Sequence, residues 1–191
     1  MNAIETKGLC KVFGRKVAVD HIDLTVKEGE LFALLGVNGA GKTTTIRMLS
    51  GLSAPTEGTC SVCGHDCVTE KPQAKEIIGL SPQDTAVAEN LTVLENLQFM
   101  AQVHGLSGAA KQQRVEEMIA QFRMEEVLGS RAKTLSGGWK RKLSIAMALI
   151  SQPKVLFLDE PTLGLDVLAR RELWRVIEGL KGKVTVLLTT H

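Results

Sequence analysis

Eight residues, Gly36-Val-Asn-Gly-Ala-Gly-Lys-Thr43, constrain this chain more than any others. They follow an unbroken apolar run, Leu31 to Leu35, and lead into a stretch of helical spacing, Lys42 to Leu52, in which Ile46, Met48 and Leu49 would face inward. An apolar run without alternation is what a strand covered on both faces requires, so the feature predicts a buried parallel strand, a glycine loop and a helix. Glycines at 36, 39 and 41 permit backbone angles that aim successive N–H groups at an anion, and the helix N-terminus adds its dipole. The pattern is G-x-x-x-x-G-K-[ST], which cradles phosphates: Lys42 supplies a cation for the β- and γ-phosphates of a nucleoside triphosphate, and Thr43 a hydroxyl for Mg²⁺.

The rest of the chain supplies the frame such a loop needs. Residues Ile4 to Glu30 alternate apolar and polar positions and read as two or three antiparallel strands, a small β lobe. A weak helix after Lys71-Pro72, a short strand Ile77 to Leu80 and a turn at Ser81-Pro82-Gln83 follow. Leu91 to His104 and Lys111 to Phe122 look helical, as does Ser136 to Ile150. Val155 to Leu158 and Val184 to Thr190 read as further buried strands, with a helix from Val167 to Leu180 between them. Strands alternating with helices argue for an α/β core with ligand at the C-terminal strand ends.

A length of 191 residues suits one domain with lobes: a β lobe at about 1–30 and 59–80, a core at about 31–58 and 152–191, and a helical lobe at about 84–151. No apolar stretch approaches a membrane span, and a net charge of +2 without a block of one sign points to no direct nucleic-acid contact. Met1 to Thr6 carry Glu5 and no apolar core of leader length, so the cytoplasm is the expected compartment. Cys60, Cys63 and Cys67 with His65 have a spacing that thiolate ligands could use. Thr59 to Gly64 also alternates as a strand placing Cys60 and Val62 on one face, and no second ligand pair exists, so reduced structural thiols are expected.

A second chemical feature lies in Val155-Leu-Phe-Leu-Asp-Glu160, an apolar strand that delivers two carboxylates at its C-terminal end. Asp159 suits Mg²⁺, directly or through water, and Glu160 could polarise an attacking water as general base. The N-K-x-D and D-x-x-G patterns of small GTPases occur nowhere, which leaves guanine specificity without support. Leu135-Ser-Gly-Gly-Trp139 stands before a helix and upstream of the acidic strand. Ser136, Gly137 and Gly138 offer a hydroxyl and bare N–H groups at that helix N-terminus, an anion site in its own right.

Taken in order, these motifs resemble the ABC ATPase family over essentially the whole chain. The resemblance implies a P-loop NTPase (RecA-like) parallel-sheet core with an antiparallel β lobe and an inserted helical lobe. It implies ATP and Mg²⁺ as ligands, held by Gly36, Asn38, Gly39, Ala40, Gly41, Lys42, Thr43 and Thr44. Gln83 then corresponds to the family's Q-loop, a metal or water ligand, and Asp159 and Glu160 to the Walker B pair. Leu163-Gly-Leu-Asp166 corresponds to the D-loop, and His191 to the histidine that hydrogen bonds the γ-phosphate. The adenine usually stacks on an upstream aromatic residue; with no tyrosine in the chain, Phe13 is the best candidate.

In the family, the signature Ser136 to Gly138 completes the site of a second copy or homologous ATPase subunit, so two ATP molecules lie between two chains. Asn90-Leu-Thr-Val-Leu-Glu-Asn96 and Gly164-Leu-Asp166 are similar to ABC-2-type exporters. That likeness implies a separate transmembrane permease partner and a peripheral position on the cytoplasmic face of the membrane. The alternative is a soluble ABC ATPase in translation, DNA repair or chromosome maintenance, and a regulatory module that hydrolyses little is a third reading. Three residues depart from the usual pattern: Val37, Trp139 and Leu163. Lys140, Arg141 and Lys142 read most simply as a solvated face, and the stop at His191, right after a strand, reads as a C-terminal truncation.

Overall fold

A computed structural model describes residues 1–191 in full. Two long strands, β1 (Asn2–Phe13) and β2 (Lys16–Lys27), pair antiparallel, and β4 (Glu57–Val62) and β5 (His65–Asp66) extend that sheet in the order β2-β1-β4-β5, with β3 (Leu31–Leu35) lying elsewhere. The second sheet is parallel, order β3-β8-β7-β6, where β6 is Ile78–Ser81, β7 is Val155–Leu158 and β8 is Thr185–Thr190. Six helices connect these strands: α1 (Lys42–Leu49), α2 (Lys71–Glu76), α3 (Val93–Val103), α4 (Gly108–Phe122), α5 (Gly137–Leu149) and α6 (Val167–Glu178). The mixed architecture expected from the sequence, a parallel core with an antiparallel lobe and an inserted helical lobe, is present.

Successive side chains of β7 point to opposite faces, and the two hydrophobic cores are built on that alternation. Val155 and Phe157 join Leu187 of β8, Ile46, Met48 and Leu49 of α1, and Ile4, Leu9 and Val62 of the antiparallel sheet. Leu156 and Leu158 join Val186 and Leu188 and pack against α3, α4, α5 and α6. Helix α1 is therefore clamped between the two sheets, which fixes the loop that precedes it.

Three expectations need correction. β3 was expected to be buried; Leu31 does pack on one core and Phe32 on the other, but the strand is the edge of the parallel sheet and its end opens to solvent, with Leu35 68% exposed. Its apolar run fits the single neighbour β8 as well as it would fit two. β6 lies within the span assigned to the β lobe, yet it pairs with β7 and is the far edge of the parallel sheet. Arg141 and Lys142 are buried, at 5% and 7% exposure, because α5 runs through the interior with nine of its residues buried.

Local chemistry sets several boundaries. Thr92 and Glu95 form a reciprocal capping box at the start of α3, and Asp166 caps α6 by accepting from Leu168 N and Ala169 N at 2.9 Å each. Cys60 and Cys67 are buried, and their thiols donate to the carbonyls of Met48 and Leu49 at the end of α1. The Cys60 neighbour and burial push the Cys67 thiol up, which favours its neutral form. No group of three or more His, Cys, Asp or Glu side chains is arranged to hold a metal ion.

Candidate active site

The loop between β3 and α1 takes its shape from its glycines. Gly39 and Gly41 have φ of 82° and 84°, the left-handed region that favours glycine. A Cβ on Gly41 would also fall 2.2 Å from the carbonyl oxygen of Ala18 in β2, so side chains are excluded there twice over. The Lys42 ammonium folds back under the loop, donating to Gly36 O at 2.5 Å and Val37 O at 3.2 Å. Thr43, in the first turn of α1, is exposed.

Opposite this loop stands the end of β7. Glu160 Oε1 lies 3.6 Å from Lys42 Nζ and 2.9 Å from Nε2 of His191, and both Lys42 and Glu160 are under a tenth exposed. A buried carboxylate and ammonium are tolerated when they are paired in this way. Glu160 itself has φ 47°, a left-handed backbone on a non-glycine residue. Asp159 is 3% exposed; Thr189 Oγ1 donates to its Oδ1 at 2.6 Å, and Asp159 N donates to Ser81 O.

A cavity of about 330 Å³ gathers the expected residues: Phe13, Asn38, Gly39, Ala40, Gly41, Lys42, Thr43, Thr44, Gln83 and Glu160 line it. Lys16 and Ala18 of the β lobe complete its wall. Phe13 is 54% exposed, with the Lys11 ammonium 5.1 Å from its ring centroid. One face of that ring is engaged by a cation, and the remaining surface is available for stacking.

Ser136, Gly137, Gly138 and Asp166 line no part of this cavity. Ser136 caps α5 by accepting from Trp139 N, and Asp166 is committed to capping α6. Ser136 and Gly137 are nonetheless exposed, so within one chain the signature faces outward. Trp139 packs beneath Lys142, whose Nζ is 4.4 Å from the ring and 2.7 Å from Glu172 of α6. It belongs to a larger cavity of about 1000 Å³ between the helical lobe and α6, remote from the loop, which holds none of the expected site residues.

Reading the sequence missed two groups that shape the site. The buried guanidinium of Arg141 donates to the carbonyls of Pro82 and Gln83, tying α5 to the segment that carries Gln83. One turn further on, Ser144 Oγ bonds Ser81 Oγ at 2.9 Å. Thr189 is the second group; it is one of three threonines in β8, and the sequence does not single it out from Thr185 or Thr190.

A phosphate-type loop, a facing acidic strand end and an outward signature on an α/β core with two added lobes define a nucleotide-binding cassette. The sequence model for the ABC transporter family matches residues 19–163, and the chain belongs to that family. It is 42% identical over 189 residues to the probable multidrug ABC transporter ATP-binding protein YbhF of Escherichia coli K12, covering 98% of this chain and 33% of that protein. It is also 42% identical over 190 residues to the Nod factor export ATP-binding protein I of Cupriavidus metallidurans CH34, covering 98% of this chain and 62% of that protein. The chain thus spans about a third of one relative and under two thirds of the other. Among solved structures, the dimeric post-hydrolysis state of the ATP-binding cassette MJ0796 with ADP and Pi superposes with a TM-score of 0.86 at 26% identity, covering 98% of this chain and 88% of that one.

Proposed function

We propose that this chain binds Mg-ATP between Phe13 and the loop Gly36 to Thr44, and hydrolyses it with Glu160 as general base. The observation that carries this reading is the convergence of Glu160 Oε1 with Lys42 Nζ and His191 Nε2 at the mouth of the loop. A water beside Glu160 would attack the γ-phosphorus and pass its proton to the carboxylate as the bond to the ADP oxygen breaks. Lys42 and the loop N–H groups offset charge on the phosphate oxygens, and His191 holds Glu160 at 2.9 Å.

The donor set suits Mg²⁺: an exposed hydroxyl on Thr43, the buried carboxylate of Asp159 and the amide of Gln83 are all oxygen ligands. When bound, the ion would offset charge developing between the β- and γ-phosphates. Thr43 and Asp159 would hold it, with Gln83 reaching it directly or through water.

The outward-facing Ser136 to Gly138 supports assembly with a second copy or a homologous ATPase subunit, whose nucleotide that signature would cover. The names of the relatives, a multidrug transporter protein and a Nod factor exporter, favour transport over a soluble role. The chain would then be the peripheral motor on the cytoplasmic side of a separate transmembrane permease, and export is the direction those names suggest. No helix of the structure is long and apolar enough to cross a membrane. Phosphate release from Mg-ATP tests the catalytic assignment: Glu160→Gln should lower turnover at least about a hundredfold while ATP still binds, and unchanged turnover would refute it.

A further inference from the structure

We propose that Thr189 is a positioning residue whose hydroxyl locks the turn from which Asp159 and Glu160 project. The proposal rests on the reading of those two carboxylates as the acidic pair of an ATPase. β7 leaves its ladder after Leu158, which pairs with Leu188. Beyond that point the Glu160 N–H, in a buried residue, donates to Thr189 Oγ1 at 2.8 Å rather than to a carbonyl. The hydroxyl's own proton goes to Asp159 Oδ1 at 2.6 Å, the short distance of a charge-assisted bond.

One hydroxyl thus fills two roles in a row, acceptor for one acid's backbone and donor to the other acid's side chain. Thr189 is 0% exposed, and its branched Cβ limits rotation about χ1, so β8 aims the oxygen rigidly. Glu160 sits at φ 47°, a conformation that side-chain-bearing residues leave unless neighbours hold them. Two residues further along, His191 meets the Glu160 carboxylate itself. The end of β8 therefore secures the backbone of Glu160 through Thr189 and its side chain through His191. Committing Oδ1 to Thr189 leaves Asp159 one uncommitted oxygen to present toward a cation.

Thr189→Val keeps the shape and removes the hydroxyl, whereas Thr189→Ser keeps the hydroxyl and removes the methyl. Turnover, binding of a fluorescent methylanthraniloyl ATP and hydrogen exchange of the Glu160 amide are measured together. The valine variant should lose at least about tenfold in kcat and a similar factor in amide protection, with nucleotide affinity within about twofold. The serine variant should stay within about threefold of the parent in all three measurements. Wild-type turnover and protection in Thr189→Val would overturn the proposal, as would a serine variant that loses as much as the valine one. Should the valine variant not fold, Thr189→Ala carries the same comparison. A parent protein without ATPase activity would sink the functional reading instead, while amide exchange would still decide whether Thr189 holds Glu160.

Discussion

At the scale of single residues, the site was legible wherever its chemistry is local in sequence. Gly41, Lys42 and Thr43 occupy one short loop, so their spacing alone identified it, and the structure adds that Gly41 must also pass beneath Ala18 O. Gly41→Ala would force a Cβ into that carbonyl and a left-handed φ on alanine; nucleotide affinity should fall at least about tenfold in equilibrium titration, with a loss of more than about 1 kcal/mol in denaturant unfolding. Arg141 and Thr189 were not legible because their partners lie far away along the chain, 58 residues from Arg141 to Gln83 and 29 from Thr189 to Glu160. A run such as Lys140-Arg-Lys142 on a helix is ordinarily solvated, and only the burial of α5 on nearly every side reverses that reading.

At the scale of elements, helix caps and lobe contacts matter most. The Thr92 backbone N–H and hydroxyl hold the Glu95 carboxyl below its usual range. A depressed folded value means the stabilisation is present above the unfolded value, near 4.3, and is lost as pH falls through the lower folded one. Acid titration by circular dichroism should show Glu95→Gln, which removes the titrating carboxyl, flattening that dependence below about pH 4.5. α5 has larger consequences, because it carries the signature at its N-terminus and grips the Gln83 segment through Arg141 and the β6 end through Ser144. Arg141→Ala removes a charged donor from two carbonyls and should cost about 2–3 kcal/mol in chemical denaturation. Arg141→Lys, able to offer a charge but no fork, should recover only part of this loss. Strand identity was readable from apolar runs, but the edge position of β3 was not, because the same run serves one neighbour or two.

At the scale of the whole molecule, the signature is exposed and lies outside the cavity, and the proposed function predicts that a second chain completes the catalytic unit. Val37, Leu163, Val167 and Leu168, in the phosphate loop and around the start of α6, are all roughly half or more exposed. With ATP, the hydrolysis-impaired Glu160→Gln protein should scatter light as a species of twice the monomer mass. Adding Ser136→Arg should return it to monomer, and a monomer in both cases would refute the two-chain arrangement. Both tryptophans, Trp139 and Trp174, pack in the cluster on the far side of the parallel sheet, whereas α1 belongs to the near one. Yet β7 sends alternate side chains into both clusters, so the two halves have no seam along which to separate. Nucleotide gripping the head of α1 at a hundred times its Kd should therefore raise resistance to unfolding by about 2.7 kcal/mol. Indole fluorescence, which watches only the distant cluster, should register that gain in full, as one melting transition displaced upward.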